Sequence, residues 1–323
     1  MRRTALAAAA LLAAVSSHSI AAAETYPSRP IHVIVPTPPG GPVDVMARLL
    51  ANALPAQLGG QTVVVENKPG AGNIIGSKLA AEATPDGYTL HVSSVSGLVL
   101  SPLIHSNPGY SAASFAPIAL ITETPQVLVV NPDLPVKSLA ELVAYAKAHP
   151  GKLNYSSGGI GTFPNLTAEL FKKVAGVNIV HVPYKGGHLA LNAVLAGEAQ
   201  LTFDTLPTSL ALVKAGKLRA IAVSGKARRP ELPDVPDMQE LGYPLLTTGA
   251  WTAFVAPKGT PQEIIAKLNK AANAALHSEP MAGTLAKMGA EARGGSPQDL
   301  TAYISSETAK WKPLIADLHI KAD

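Results

Sequence analysis

Cysteine is absent from this 323-residue chain. That excludes disulfides and thiolate chemistry, and it leaves packing alone to stabilise the fold. Charge of one sign is also lacking. The formal net charge is +4, and setting aside Arg2 and Arg3 leaves 24 basic against 22 acidic residues, or +2. No basic stripe for nucleic acid follows from such a balance. Beyond the first residues no segment carries eighteen consecutive apolar residues, so no membrane span is expected. Three familiar chemical signatures are missing as well. There is no G-x-x-x-x-G-K-[ST] phosphate loop, because Gly76-Ser77-Lys78 has the wrong order. There is no G-x-S-x-G nucleophile elbow. Histidines such as His32, His91, His105, His181 and His188 lack metal-ligand spacings such as H-x-x-x-H. Neither a metal nor a cofactor is expected. Aromatic residues are few, at 5%, whereas glycine (27) and proline (28) are scattered as loop punctuation between periodic segments rather than gathered into disordered tracts.

What is present begins with an export signal. Arg2 and Arg3, an apolar run from Ala5 to Val15 and Ala21-Ala22-Ala23 before Glu24 form the charged, hydrophobic and cleavage regions of a secretory leader. The apolar run is too short to span a bilayer. The expected mature chain starts near Glu24, after cleavage near Ala23, and resides in the periplasm.

The rest alternates short β-branched runs with amphipathic stretches, the pattern of an α/β protein with mostly parallel sheets. Ile31–Val35 predicts the first strand, the turn Pro36–Gly41 follows, and a helix is expected over Val43–Leu54. Asp44 and Arg48 are spaced to pair on that helix. Further strands are expected at Thr62–Glu66, Thr89–Ser93, Gln126–Val130, Leu153–Ser156, Ile179–Val182, Ala199–Phe203, Leu218–Val223 and Trp251–Val255. Ser138–Glu141, Thr260–Glu263 and Ser296–Asp299 have the spacing of helix N-terminal caps. The string fits two α/β lobes joined by crossover strands, residues 24–122 plus 248–323 forming one and 123–247 the other.

Two glycine-rich corners carry the chemistry. Thr37-Pro38-Pro39-Gly40-Gly41 stands between a strand and a helix, where amide donors and the helix dipole suit a carboxylate or phosphate. Ser157, Gly158, Gly161 and Thr162 occupy an equivalent corner, with hydroxyls and amides at hand. Each sequence serves a tight turn equally well. Facing one another across a cleft, they would grip a small anion without a charged side chain. Asp204 ends the apolar run AQLTFD; it suits a ligand amine or hydroxyl, and equally the cap of the next helix. Ser93 and Ser94 at the end of the third strand and Tyr184 after the sixth complete the candidate set. Gly70–Gly76 resembles a dinucleotide fingerprint, but its last glycine falls one position late. Asn165-Leu166-Thr167 matches a glycosylation sequon, although a helix start accounts for it better.

These elements together resemble the extracytoplasmic solute receptors of tripartite tricarboxylate transporters, the Bug-type receptors. The matching stretches include Tyr26–Ile31, Val35–Arg48, Val65–Gly72, Pro85–Leu90, His181–Gly186, Ala215–Ala220, Pro233–Pro236 and Ala256–Pro261, and they cover nearly the whole mature chain. The resemblance implies a two-lobe periplasmic-binding-protein fold of the type II kind, with a ligand cleft between lobes that close on a small carboxylate. It implies capture of a mono-, di- or tricarboxylate or an amino acid, delivery to an integral-membrane permease, a monomer, and no enzymatic activity. It also implies that loops Thr37–Pro42 and Ser157–Thr162 hold the ligand and that Asp204 matches a ligand-side aspartate. The chain departs from the family pattern at Asn73, where glycine is usual, and at Asn165, where histidine is frequent. A sensor for a signalling kinase, or an exported enzyme acting on a small acid, are the alternatives; a permease or kinase gene in the same operon, or turnover of a carboxylate, would discriminate them.

Overall fold

The structure is a computed structural model describing residues 26–225, 227–317 and 320–321; the expected leader, residues 1–23, lies outside the described residues. The elements run β1 (Ile31–Val35), α1 (Pro42–Ala53), β2 (Val63–Asn67), α2 (Ile74–Ala81), β3 (Thr89–Ser94) and α3 (Ser101–Ile104). They continue with β4 (Phe115–Val130), α4 (Leu139–Ala148), β5 (Asn154–Ser157), α5 (Phe163–Ala175), β6 (Val180–Pro183), α6 (Gly187–Leu195), β7 (Leu201–Thr205), α7 (Leu206–Lys214) and β8 (Arg219–Val223). The last are β9 (Gly249–Pro257), α8 (Gln262–Leu276), α9 (Glu279–Met288), β10 (Glu291–Gly294) and α10 (Pro297–Asp317).

The strands form a curled mixed sheet in the order β2-β1-β3-β9-β4-β7-β5-β6, with β8 and β10 also paired to β4. β4 is the shared element. Its first half pairs with β9 and β10, and its second half with β7 and β8, so one strand runs through both lobes. The expectation of mostly parallel sheets is corrected here. β1 lies parallel to β2 and β3, and β5 parallel to β6 and β7, but every pairing made by β4 and β9 is antiparallel. The crossover strands return against the direction of the βα units they join.

Alternation along the strands accounts for two cores in each lobe. In β1, Ile31, Val33 and Val35 face a core containing Leu50, Phe254 and Leu268, whereas Ile34 faces another containing Leu98, Trp251 and Trp311. In β4, Leu128 and Val130 face Tyr155, Phe171 and Phe203, whereas Val127 and Val129 face Val194 and Leu210. A strand covered on both faces becomes continuously apolar. α5 crosses between lobes: Phe163 and Leu166 at its start are buried in the first lobe's core, with the Phe163 ring edge-on to Trp311 at 5.6 Å.

Two local expectations need correction. The run expected at Gln126–Val130 is the end of a sixteen-residue strand, whose start is disguised by Pro117 and Pro125. Proline withholds a ladder donor and favours irregular pairing, and the register shifts between Pro117 and Ala119. Thr260 does not cap α8; its hydroxyl donates to the Pro257 carbonyl, and Pro261 is the N-cap. Ser296 does cap α10, accepting from the Asp299 amide at 3.1 Å while Asp299 accepts from the Ser296 amide at 2.8 Å.

Candidate functional site

A cavity of about 690 Å³ lies between the two lobes. Strand-to-helix corners build most of its wall: Thr37, Pro38, Gly41 and Val43 after β1, Gly158 and Thr162 after β5, Gly186 and Gly187 after β6, Thr205 and Thr208 after β7. Ligands of open α/β sheets gather at these carboxyl ends. Each corner opens a helix, and the amides ahead of its first internal bond have no helical partner. Those first bonds are Val45 N to Gly41 O, Leu166 N to Thr162 O and Ala190 N to Gly186 O. Several positive helix ends therefore converge on one space. The crossover strands supply its floor, with Thr122 and Thr124 from β4 and Trp251 and Thr252 from β9. The lobes touch beside the cavity. A Cβ on Gly186 would lie 3.6 Å from Pro38 Cγ, and one on Gly72 would lie 3.4 Å from the Ile160 carbonyl oxygen.

The first corner is fixed from below by Asp44. This carboxylate is 2% exposed; one oxygen accepts from the Gly40 amide and Arg48 Nε, both at 2.9 Å, and the other from Asn67 Nδ2 at 2.8 Å. Burial pulls its pKa upward, but hydrogen bonds from Arg48, Gly40 and Asn67, with the Arg48 charge, hold it below the ordinary value. Asn67 also donates to the Thr37 carbonyl at 3.0 Å. Thus the Asp44–Arg48 pair, expected as a surface contact, braces the turn.

Of the residues singled out from the sequence, Thr37, Pro38, Gly41, Ser94, Gly158, Thr162, Tyr184 and Asp204 line the cavity. The remainder do not. Pro39 and Gly40 are exposed on the outside of the turn, and the Gly40 amide is spent on Asp44. Ser93 is wholly buried behind the wall. Ser157 is 1% exposed and turns its hydroxyl toward Gly159 and His181. Gly161 is buried, with φ +77°, and donates its amide to Asn165. The second corner is accordingly not a row of free donors. The amides of Gly159, Gly161, Thr162 and Phe163 go to Ser157 Oγ, Asn165 Oδ1, the Gly159 carbonyl and Ser96 Oγ.

Among the lining residues the titratable groups are Tyr184, Lys185, His188 and Asp204, and no arginine is present. Asp204 is 7% exposed. Its carboxylate accepts from the Thr208 hydroxyl. Burial raises its pKa to about 7, against the lowering effect of hydrogen bonds from Thr208 and the Thr205 amide. The helix cap is Thr205, so Asp204 is left to face the cavity. At neutral pH it is poised to donate or accept a hydrogen bond. Thr37 Oγ1 is buried without a hydrogen-bond partner. The chemistry on offer is recognition of an anion by neutral hydroxyls and main-chain amides, with one ionisable carboxyl.

Sequence reasoning missed Gly186, Gly187, Thr122, Thr124, Trp251 and Thr252 as lining residues. The glycine pair had a usable signal, because it repeats the strand–Gly-Gly–helix pattern of the first corner. Thr122 and Thr124 had none, since their strand is masked by prolines.

A family model for the tripartite tricarboxylate transporter family receptor matches residues 46–320. The chain belongs to this family. It is 39% identical to Protein BugT of Bordetella pertussis over 304 residues, covering 93% of this chain and 92% of that one. Two solved structures are similar throughout. R. palustris Rpa4515 with adipate superposes with a TM-score of 0.87 at 36% identity, covering 92% of this chain and 99% of that chain. MatC from Rhodopseudomonas palustris with bound malate gives 0.85 at 32% identity, covering 90% and 100%. The protein is a solute-binding receptor with the two-lobe fold.

Proposed function

We propose that the inter-lobe cavity captures a small organic carboxylate in the periplasm and that the loaded receptor hands it to a membrane permease. The observation that carries this reading is the convergence of α1, α5, α6 and α7 N-termini on one space lined by hydroxyls and lacking arginine. Helix N-termini bind carboxylates through amides and dipoles. In support, one relative holds adipate and another malate. Thr37 and Gly41 with the α1 amides take the carboxylate from the first lobe. The Gly158 and Gly186–Gly187 amides meet it from the second, where Thr162 lines the wall, and Asp204 reads the ligand's other polar group. Residues 24–122 plus 248–323 and residues 123–247 act as the two lobes. Export after cleavage near Ala23 places the protein opposite its permease.

Binding that favours the closed lobes over the open ones draws its energy from these contacts. A thermal-shift screen of purified protein against adipate, malate and a panel of mono-, di- and tricarboxylates tests the proposal. At a hundredfold excess over Kd a ligand adds about 2.7 kcal/mol of stability. Stabilisation by at least one acid, with compaction in small-angle scattering, is expected. Stabilisation by none, or turnover of an acid, would overturn it.

A further inference from the structure

Behind the second corner lies a chain of polar side chains whose hydrogens can be placed from connectivity alone. The Gly161 amide points at Asn165 across 2.9 Å. A main-chain N–H only donates, so the atom it meets is Asn165 Oδ1, and the Asn165 NH2 group must face the other way. That group reaches the Tyr155 hydroxyl at 2.7 Å and His181 Nδ1 at 3.4 Å. Tyr155 passes its own hydrogen to Glu169, which Lys172 neutralises at 2.9 Å. Because Nδ1 faces a donor, it carries the lone pair, and the ring hydrogen sits on Nε2. Nε2 lies 2.7 Å from Ser157 Oγ. Ser157 then accepts there and from the Gly159 amide at 3.2 Å, and its single hydrogen goes to the Gly159 carbonyl at 3.0 Å. The directions are mutually consistent from Lys172 to Gly159.

We infer that Asn165, His181 and Tyr155 are positioning residues, a brace with one allowed hydrogen order that seats the cavity-lining loop 157–162 only while His181 is neutral and protonated on Nε2. Adding a proton puts an N–H on Nδ1 against the Asn165 NH2. Turning the Asn165 amide to relieve this would set its NH2 against the Gly161 amide. One bond of the brace is lost either way. The groups facing His181 are Tyr155, stacked at 4.7 Å, and Glu169 and Lys172 on α5. Burial and Lys172 lower its pKa and Glu169 raises it, with a net downward shift that keeps the ring neutral at pH 7. The Asn165 departure from the family pattern thus acts through the loop: Asn165 is 3% exposed and is absent from the cavity wall.

The bearing of this brace on capture rests on the proposed role of the loop, but its test needs no ligand, so either can fail without the other. In ¹⁵N-labelled apo protein, long-range imidazole spectra are expected to show the Nε2–H form at pH 7.5. Exchange of the Gly161 amide, corrected for its intrinsic pH dependence, should accelerate about tenfold or more as His181 titrates, with coincident midpoints. His181→Gln should remove that acid step, and Asn165→Ala should expose the Gly161 amide at every pH. A neutral Nδ1–H form, or an unchanged acid step in His181→Gln, would overturn the inference.

Discussion

The Asp44 carboxylate accepts the amide hydrogen of Gly40 at 2.9 Å, four residues back along the chain, and so ties the turn after β1 to the helix it opens. The second corner uses the same offset, Asn165 accepting from Gly161 at 2.9 Å. Each lobe thus holds its glycine corner with a side chain from the first turn of the following helix. Asp44→Ala would leave the Gly40 amide and Arg48 Nε without their acceptor and remove one of the two acceptors of Asn67 Nδ2, which keeps the Thr37 carbonyl. A loss of about 2 kcal/mol is expected, moderated because Arg48 is half exposed. Asp44→Asn keeps one acceptor oxygen and should lose less. Urea unfolding of both variants measures this; wild-type stability in Asp44→Ala would remove Asp44 from the brace.

The two corners differ in how they tolerate a side chain. Gly40 and Gly161 both have positive φ, +79° and +77°. A Cβ on Gly40 meets nothing within 4 Å, whereas one on Gly161 would lie 1.9 Å from Ile104 Cδ1. Gly40→Ala should therefore cost only the left-handed conformation, about 1 kcal/mol. Gly161→Ala should cost about 2–4 kcal/mol, because overpacking against Ile104 is added. Adding Ile104→Ala to Gly161→Ala should make the double variant less destabilised than the two single losses combined. Simple additivity in thermal unfolding would show that Ile104 is not the obstacle.

Strand-to-helix rhythm made much of this architecture legible in advance. α1 at Pro42–Ala53 lies within one residue of the helix expected over Val43–Leu54, and β1 at Ile31–Val35 falls where the periodicity puts it. So do the corners that line the cavity, because they follow apolar strands and carry glycine pairs. What escaped notice depends on partners distant in sequence. Nothing near Phe163 reveals that its amide is taken by Ser96 Oγ, 67 positions away. Nor does the motif around Gly161 show that its amide is consumed by Asn165. Glycine content indicates where donors can lie, and tertiary packing decides which remain free. The long β4 was hidden for a local reason, its two prolines.

His91 offers a pH test of the first lobe's core. It is 0% exposed, with Nδ1 2.9 Å from the Ile34 carbonyl and Nε2 3.1 Å from Ser77 Oγ. Burial lowers its pKa from 6.5 to about 4, against a smaller upward effect of the Ile34 carbonyl. The unfolded chain thus binds this proton more readily than the folded one. Stability is fully present above pH 6.5 and is lost as pH falls toward 4, by about 3 kcal/mol. Urea midpoints measured across that window should slope downward, and less steeply in His91→Gln despite its lower overall stability. A wild-type slope retained in the variant would assign the acid loss to other groups.

Asp204 should produce the opposite slope, and with it a discrimination among ligands. Its folded pKa, about 7, lies above the unfolded 3.8, so the folded state holds the proton more tightly. The contribution is complete below pH 3.8 and disappears as pH rises through 7, a swing of about 4 kcal/mol. Above pH 7 the empty cavity therefore contains a charge it solvates poorly. Asp204→Asn should raise the apo melting temperature most at pH 8, by less at pH 5, and leave it nearly unchanged only below pH 3.8. Recognition should move the other way. A ligand hydroxyl or amine near Asp204 gains an ionised acceptor, whereas a second carboxylate there must share a proton with it. Hydroxy- and amino-acids should therefore lose more affinity in Asp204→Asn than plain dicarboxylates do, and dicarboxylate binding to the wild type should weaken from pH 6 to pH 8. Calorimetry in two buffers of different ionisation enthalpy would count that proton directly. Dicarboxylate binding without proton uptake, together with equal losses across both ligand classes, would place the ligand away from Asp204.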